Sequence, residues 1–133
     1  MNSPNKHTIL LVDDDPLVLE AMHELFCDEF TPLLAKTGVT ALEFALSRPE
    51  ISAVVLDVKM AGQDGVETYR QLREARPRLP IVIHTGFPGS HHRQQIDTLL
   101  APFAYIIKGR SFKQLIEAVR KACASPTSDP ESN

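Results

Sequence analysis

The sequence predicts an α/β protein built on a doubly wound parallel sheet, and three observations carry that prediction. Short apolar runs rich in β-branched residues recur along the chain, segments of helical spacing lie between them, and prolines stand where one kind of segment gives way to the other. Continuous rather than alternating apolarity is the mark of strands covered on both faces. Strands that alternate with helices wind a parallel sheet through right-handed crossovers.

The first strand is Ile9-Leu10-Leu11-Val12. Asp15-Pro16 then opens a helix, Asp capping free N–H groups and Pro sitting in the first turn, with Leu17, Ala21, Leu25 and Phe26 expected on its inner face. Thr31 to Lys36 holds Pro32, which lacks a ladder donor, so this strand belongs at a sheet edge. Ala41, Leu42, Ala45 and Leu46 repeat at helical spacing before Pro49, and Ala53-Val54-Val55-Leu56 is the third strand. Val66, Tyr69, Leu72 and Arg73 repeat before Pro77, followed by the strand Ile81-Val82-Ile83. The segment from Gly89 to Ala101 is the poorest helix, polar through His91-His92-Arg93-Gln94-Gln95, and is expected to be the most mobile element. Tyr105-Ile106-Ile107 is the last strand. Ser111 with Gln114 forms a capping box for a helix whose stripe is Phe112, Leu115, Ile116, Val119 and Cys123. The expected organisation is a tail over 1–6, one domain over 7–124, and a polar tail or linker over 125–133.

Composition narrows the function. A chain of 133 residues, 43% apolar and 23% charged, suits one globular domain, and no apolar run approaches the roughly eighteen residues of a membrane span. Fourteen basic residues against seventeen acidic ones give a net charge of −3, so there is no general electrostatic reason to bind nucleic acid or an anionic membrane. Cys27 and Cys123 are not spaced as metal ligands, and both fall near ends of helices that flank the sheet on one side. Met1 to His7 is short and polar, unlike a signal peptide, which makes the reducing cytoplasm the expected compartment.

In a doubly wound sheet, ligands bind beyond the carboxyl ends of the strands. Those ends carry Asp13-Asp14-Asp15, Asp57, Thr85 and Lys108. Clustered carboxylates repel by several kcal/mol at an effective dielectric of about 20, so a cation or a proton must compensate them. Oxygen ligands without Cys or His suit Mg²⁺. A hydroxyl and an ammonium group facing such a cation match the remaining oxygens of a phosphoryl group.

Ile9 to Asp15, then Val54-Val55-Leu56-Asp57-Val58-Lys59-Met60 running on to Asp64-Gly65, then Ile81 to Gly86, then Tyr105 to Lys108, together resemble the receiver domain of two-component response regulators. The resemblance covers roughly residues 7 to 124. It implies a flavodoxin-like (βα)5 fold with strand order 2-1-3-4-5 and a signalling domain rather than an enzyme. Asp57 would be the phospho-acceptor, taking its group from a phosphohistidine of a sensor histidine kinase or phosphotransfer protein. Asp14 would ligate Mg²⁺ directly and Asp13 through water, with Asp57 and the backbone carbonyl of Lys59 as further ligands. Thr85 and Lys108 would bind the phosphoryl oxygens. Thr85 and Tyr105 would form the switch, altering the surface made by the segment 89–101, the last strand and the last helix. The implied partners are a downstream effector protein or a covalently linked output domain, and a second copy on activation.

Some residues depart from the family pattern. Gly109 stands where a proline usually follows the lysine, which loosens Lys108 and removes the usual reason for a cis peptide. Ala61 replaces another frequent proline, and Gly86 a commoner alanine. Lys59 and Phe87 sit where similar domains control water access, and bulky Phe87 is expected to slow hydrolysis of the acyl phosphate. Bland readings accompany these: Asp15 as a helix cap, Tyr105 as a core aromatic, His84 packed beside its strand and His91-His92 solvated. Two other functions compete. Asp13-x-Asp15 with Thr85 and Lys108 also resembles haloacid-dehalogenase-type phosphatases with Asp13 as nucleophile, although no further acids follow the fourth strand. A phosphorylation-independent receiver-like binding module is the other. Flavodoxin-type cofactor binding is rejected, because three aspartates in the first loop would repel a phosphate.

Overall fold

Strands buried on both faces need helices on both faces, and the chain supplies them in alternation. The computed structural model describes residues 6–58, 65–86, 103–109 and 112–125. Its elements are β1 (Thr8–Val12), α1 (Pro16–Phe26), β2 (Thr31–Ala35), α2 (Gly38–Ser47), β3 (Ile51–Leu56), α3 (Gly65–Ala75), β4 (Ile81–Thr85), β5 (Ala104–Ile107) and α4 (Phe112–Ala124). The five strands form one sheet in the order β2-β1-β3-β4-β5, and every pairing is parallel. The expected fold is therefore the observed one, with Pro32 on the edge strand. The expected helix over 89–101, the Ser111 cap, Ala61 and Phe87 lie outside the described residues.

Alternation along each strand divides the core into two layers. Leu10, Val12, Val54, Leu56, Ile81 and Ile83 pack with α2 and α3. Ile9, Leu11, Ala53, Val55 and Val82 pack with α1 and α4. The register of β1 on β3 shifts between Thr8 and Ile9, which absorbs one extra residue in β3 and lets Ile51 and Ala53 face opposite layers.

The helix starts follow local chemistry. Asp15 adopts extended backbone (φ −90°, ψ 111°) and its Oδ1 accepts the Leu17 N–H at 2.9 Å, with Pro16 in the first turn. Thr37 does the same for α2, accepting the Thr40 N–H at 3.1 Å. Gly65 opens α3 where a side chain would run into the Val58 backbone, so only glycine lets the helix start that close to the end of β3.

Three inner faces differ from expectation. In α1 the buried stripe is Leu19, Met22 and Phe26, whereas Leu17 is 73% exposed and Ala21 is also exposed. Apolar residues occupy more than one side of this helix, so periodicity admits several phases and docking on the sheet selects one. In α2 and α4, Leu46 and Phe112 are exposed, while Ala118 and Ala122 complete the stripe of α4. Small residues there let the helix lie close to the sheet.

Candidate functional site

The sheet's own hydrogen bonding fixes the residues that follow the strands. The Asp13 N–H donates to Ala35 O at 3.1 Å, the Asp57 N–H to Val12 O at 2.9 Å and the Lys108 N–H to Thr85 O at 2.7 Å. Each backbone is thus tied to the neighbouring strand one residue past the regular ladder. Continuing the alternation of their strands, Asp13, Asp57, His84 and Lys108 share the side of α1 and α4. Thr85 and Tyr105 share the side of α2 and α3, where Tyr105 packs on the core.

The carboxylates of Asp13, Asp14 and Asp57 converge, with one oxygen of each lying within 4.8 Å of the others. Asp13 is fully buried, Asp57 is 4% exposed and Asp14 is half-buried. Lys108 bridges the first and last, its Nζ 2.7 Å from Asp13 Oδ2 and 3.1 Å from Asp57 Oδ2. The Asp15 N–H donates to the other Asp13 oxygen at 2.9 Å. Thr85 is fully buried at the end of β4. The expected residues Asp13, Asp14, Asp57 and Lys108 are brought together, while Lys59 lies outside the described residues. The Asp15 carboxylate is not in the cluster, because it caps α1.

Protonation equilibria reflect the crowding. Burial raises the Asp13 carboxyl above its ordinary value, and the nearby Asp57 charge adds to this against the opposing Lys108 and Asp15 hydrogen bonds. Burial alone would lower the Lys108 ammonium, but its ion pairs with Asp13 and Asp57 outweigh that and hold it above its ordinary value. Both shifts are upward for different reasons: burial favours the neutral Asp13 carboxyl, while two neighbouring carboxylates favour the charged Lys108 ammonium. A hard divalent cation with a preference for oxygen completes such a set, and the acidic cluster fits Mg²⁺.

Residues 9–120 match the family described as the response regulator receiver domain. The chain belongs to that family. It is 47% identical over 80 residues to the response regulator MprA of Mycobacterium ulcerans, a match covering 59% of this chain and 34% of that protein. It is 28% identical over 120 residues to the hydrogenase transcriptional regulatory protein HoxA of Cupriavidus necator, covering 90% of this chain and 25% of that one. The chain thus spans about a third of the first relative and a quarter of the second. The receiver domain protein of Methanospirillum hungatei superposes with a TM-score of 0.81 at 21% identity, covering 90% of this chain and 94% of that chain. The response regulator TrrA of Thermotoga maritima, solved in complex with Mg²⁺ and BeF, superposes with a TM-score of 0.77 at 30% identity, covering 87% and 98%.

Sequence reasoning left two features of the site unread. Lys108 is held more closely by Asp13 than by Asp57, and His84 lies buried beside Lys108. The first joins residues that follow non-adjacent strands and has no signal in either segment. The second has a signal in strand parity, since His84 falls in step with Val82.

Proposed function

We propose that this receiver takes a phosphoryl group on Asp57 from the phosphohistidine of a sensor histidine kinase or phosphotransfer protein. The observation that carries the reading is the convergence of three carboxylates within 4.8 Å around the ammonium of Lys108. A carboxylate oxygen of Asp57 forms the new bond to phosphorus as the bond to the donor imidazole breaks, and the imidazole leaves as a neutral ring after taking a proton from solvent. Asp13, Asp14, Asp57 and the Lys59 carbonyl are the proposed ligands of Mg²⁺, which when bound neutralises charge on the transferred oxygens. Lys108 pairs with one of those oxygens and Thr85 donates its hydroxyl to another. Tyr105, which shares the Thr85 side of the sheet, follows the movement of Thr85 and changes the neighbouring surface for an effector protein, a linked output domain or a second copy. The chemistry is that of a phospho-acceptor signalling domain over residues 7–124 acting in the cytoplasm, and among the described residues no helix is long and apolar enough to cross a membrane. The TrrA complex supports the ligand chemistry by likeness.

Acetyl phosphate with Mg²⁺ should add one phosphoryl group by intact-mass spectrometry, mapped to Asp57 and lost in Asp57→Asn. Label on Asp13 would instead favour the phosphatase reading, and no label at all the phosphorylation-independent one. Phe87→Ala should shorten the lifetime of the phosphorylated form.

A further inference from the structure

An apolar cavity of about 240 Å³ opens between α1, the end of β4 and the turn from β5 into α4. Leu17 and Phe112, 73% and 50% exposed, stand at its mouth, while Met22 and His84, 1% and 5% exposed, form its depth. Large apolar side chains at the surface need no explanation singly, but two around one concavity mark a place where something apolar is received. The cavity exceeds the roughly 150 Å³ of an apolar cavity that takes up benzene.

His84 supplies the polar feature. Its Nδ1 is buried without a hydrogen-bond partner among the described residues, and buried polar atoms in folded proteins nearly always have one. Burial and the nearby Lys108 charge push the imidazole down to about 4, so at neutral pH the ring is uncharged. Lys108 also lines the cavity, but its ammonium is committed to Asp13 and Asp57, which leaves only its apolar stem for an occupant. Among the described residues the wall therefore offers apolar contact, one neutral hydrogen-bonding ring and no available charge.

We propose that this cavity binds a small uncharged aromatic molecule carrying a single hydroxyl or N–H group, its ring against Leu17, Met22 and Phe112 and its polar atom bonded to His84. A charged ligand would be desolvated against apolar walls with no free partner among the described residues. A molecule of one or two rings matches the volume, and its polar atom satisfies the buried nitrogen that the fold leaves open. The site lies beside the carboxylate cluster and shares Lys108 with it, so an occupant bears on the side chain that bridges Asp13 and Asp57. This goes beyond phospho-acceptance, and its test uses no phosphodonor, so either reading can fail alone.

The test is a titration of the isotope-labelled full chain with phenol, and separately with toluene, followed by NMR at the Met22 methyl and the His84 ring. The expected result is saturable shifts at both, with phenol bound about tenfold more tightly than toluene, the ratio that one hydrogen bond supplies. In His84→Leu that preference should vanish while toluene still binds. Ala21→Phe, a substitution at an exposed position on the cavity wall, should weaken both ligands and does not depend on His84→Leu folding. Absence of saturable shifts in the wild type, equal affinity for phenol and toluene, undiminished binding to Ala21→Phe, or a phenol preference that survives in His84→Leu would each overturn the proposal.

Discussion

On one face of the sheet, α2 and α3 close over Leu10, Val54 and Ile83, and arginines seal the seams. Arg73 donates to Pro77 O at 2.9 Å, to Leu79 O at 3.0 Å and to the Tyr69 hydroxyl at 2.9 Å, while Arg76 reaches the carbonyls of Arg48, Pro49 and Ile51. On the other face, α1 and α4 cover Ile9, Val55 and Val82 but leave a cavity beside Met22 and His84. Asp13, Asp57 and Lys108 continue the strands toward this second, less sealed face. The difference teaches that the sheet separates two duties: one layer holds the fold, and the other carries the polar cluster and the opening beside it.

The largest test of that division compares two apolar helix residues. Tyr69, fully buried in the closed layer, should cost about 3–5 kcal/mol when replaced by Ala, whereas Leu17→Ala at the open mouth should stay within about 0.5 kcal/mol in urea denaturation. Comparable losses would erase the distinction between the faces.

Next in size is acid sensitivity of the open face. Because the His84 pKa falls from 6.5 to about 4 on folding, the unfolded chain binds a proton in that window that the folded chain refuses. Stability contributed by neutral His84 is complete above pH 6.5 and declines as pH falls toward 4, by about 3 kcal/mol at roughly 1.4 kcal/mol per pKa unit. His84→Leu should flatten that part of the stability curve, and an unchanged slope would place the acid sensitivity elsewhere.

Lys108→Ala leaves Asp13 and Asp57 facing each other without their shared cation. It should lower stability by about 2 kcal/mol in a chelator, with much of the loss recovered when Mg²⁺ is added. A thermal melt with and without the ion reads this directly, and a magnesium shift no larger than in the wild type would contradict it.

The smallest effect is expected at the surface pair Glu29–Arg120, whose atoms lie 2.8 Å apart with both side chains about half exposed. The Arg120 hydrogen bond holds the Glu29 carboxyl below its ordinary value, so its contribution is present above that value and lost as pH falls through the lowered one. Arg120→Ala should shift the melting temperature only at low salt, because exposed charges are screened.

The strands were readable because each is apolar throughout, and the acids because they stand one residue beyond such runs. Thr85 and Lys108 were legible in the same way. The Lys108 bridge to Asp13 was not, since it joins residues far apart in the chain, at the ends of β1 and β5, with β3 and β4 between them in the sheet. Nor was the phase of α1, where Leu17, Val18, Leu19, Ala21, Met22, Leu25 and Phe26 populate more than one side of the helix.

By itself the sequence determined the order of the described elements, the edge placement of Pro32 and the row of candidate site residues at the strand ends, because these depend on local apolarity, backbone donors and position along one strand. Only the tertiary structure decided which stripe of α1 is buried, that Lys108 serves two acids, and that His84 lines an open cavity. Those outcomes depend on how helices seat on a twisted sheet, a packing condition that joins distant residues and leaves no mark in any single segment.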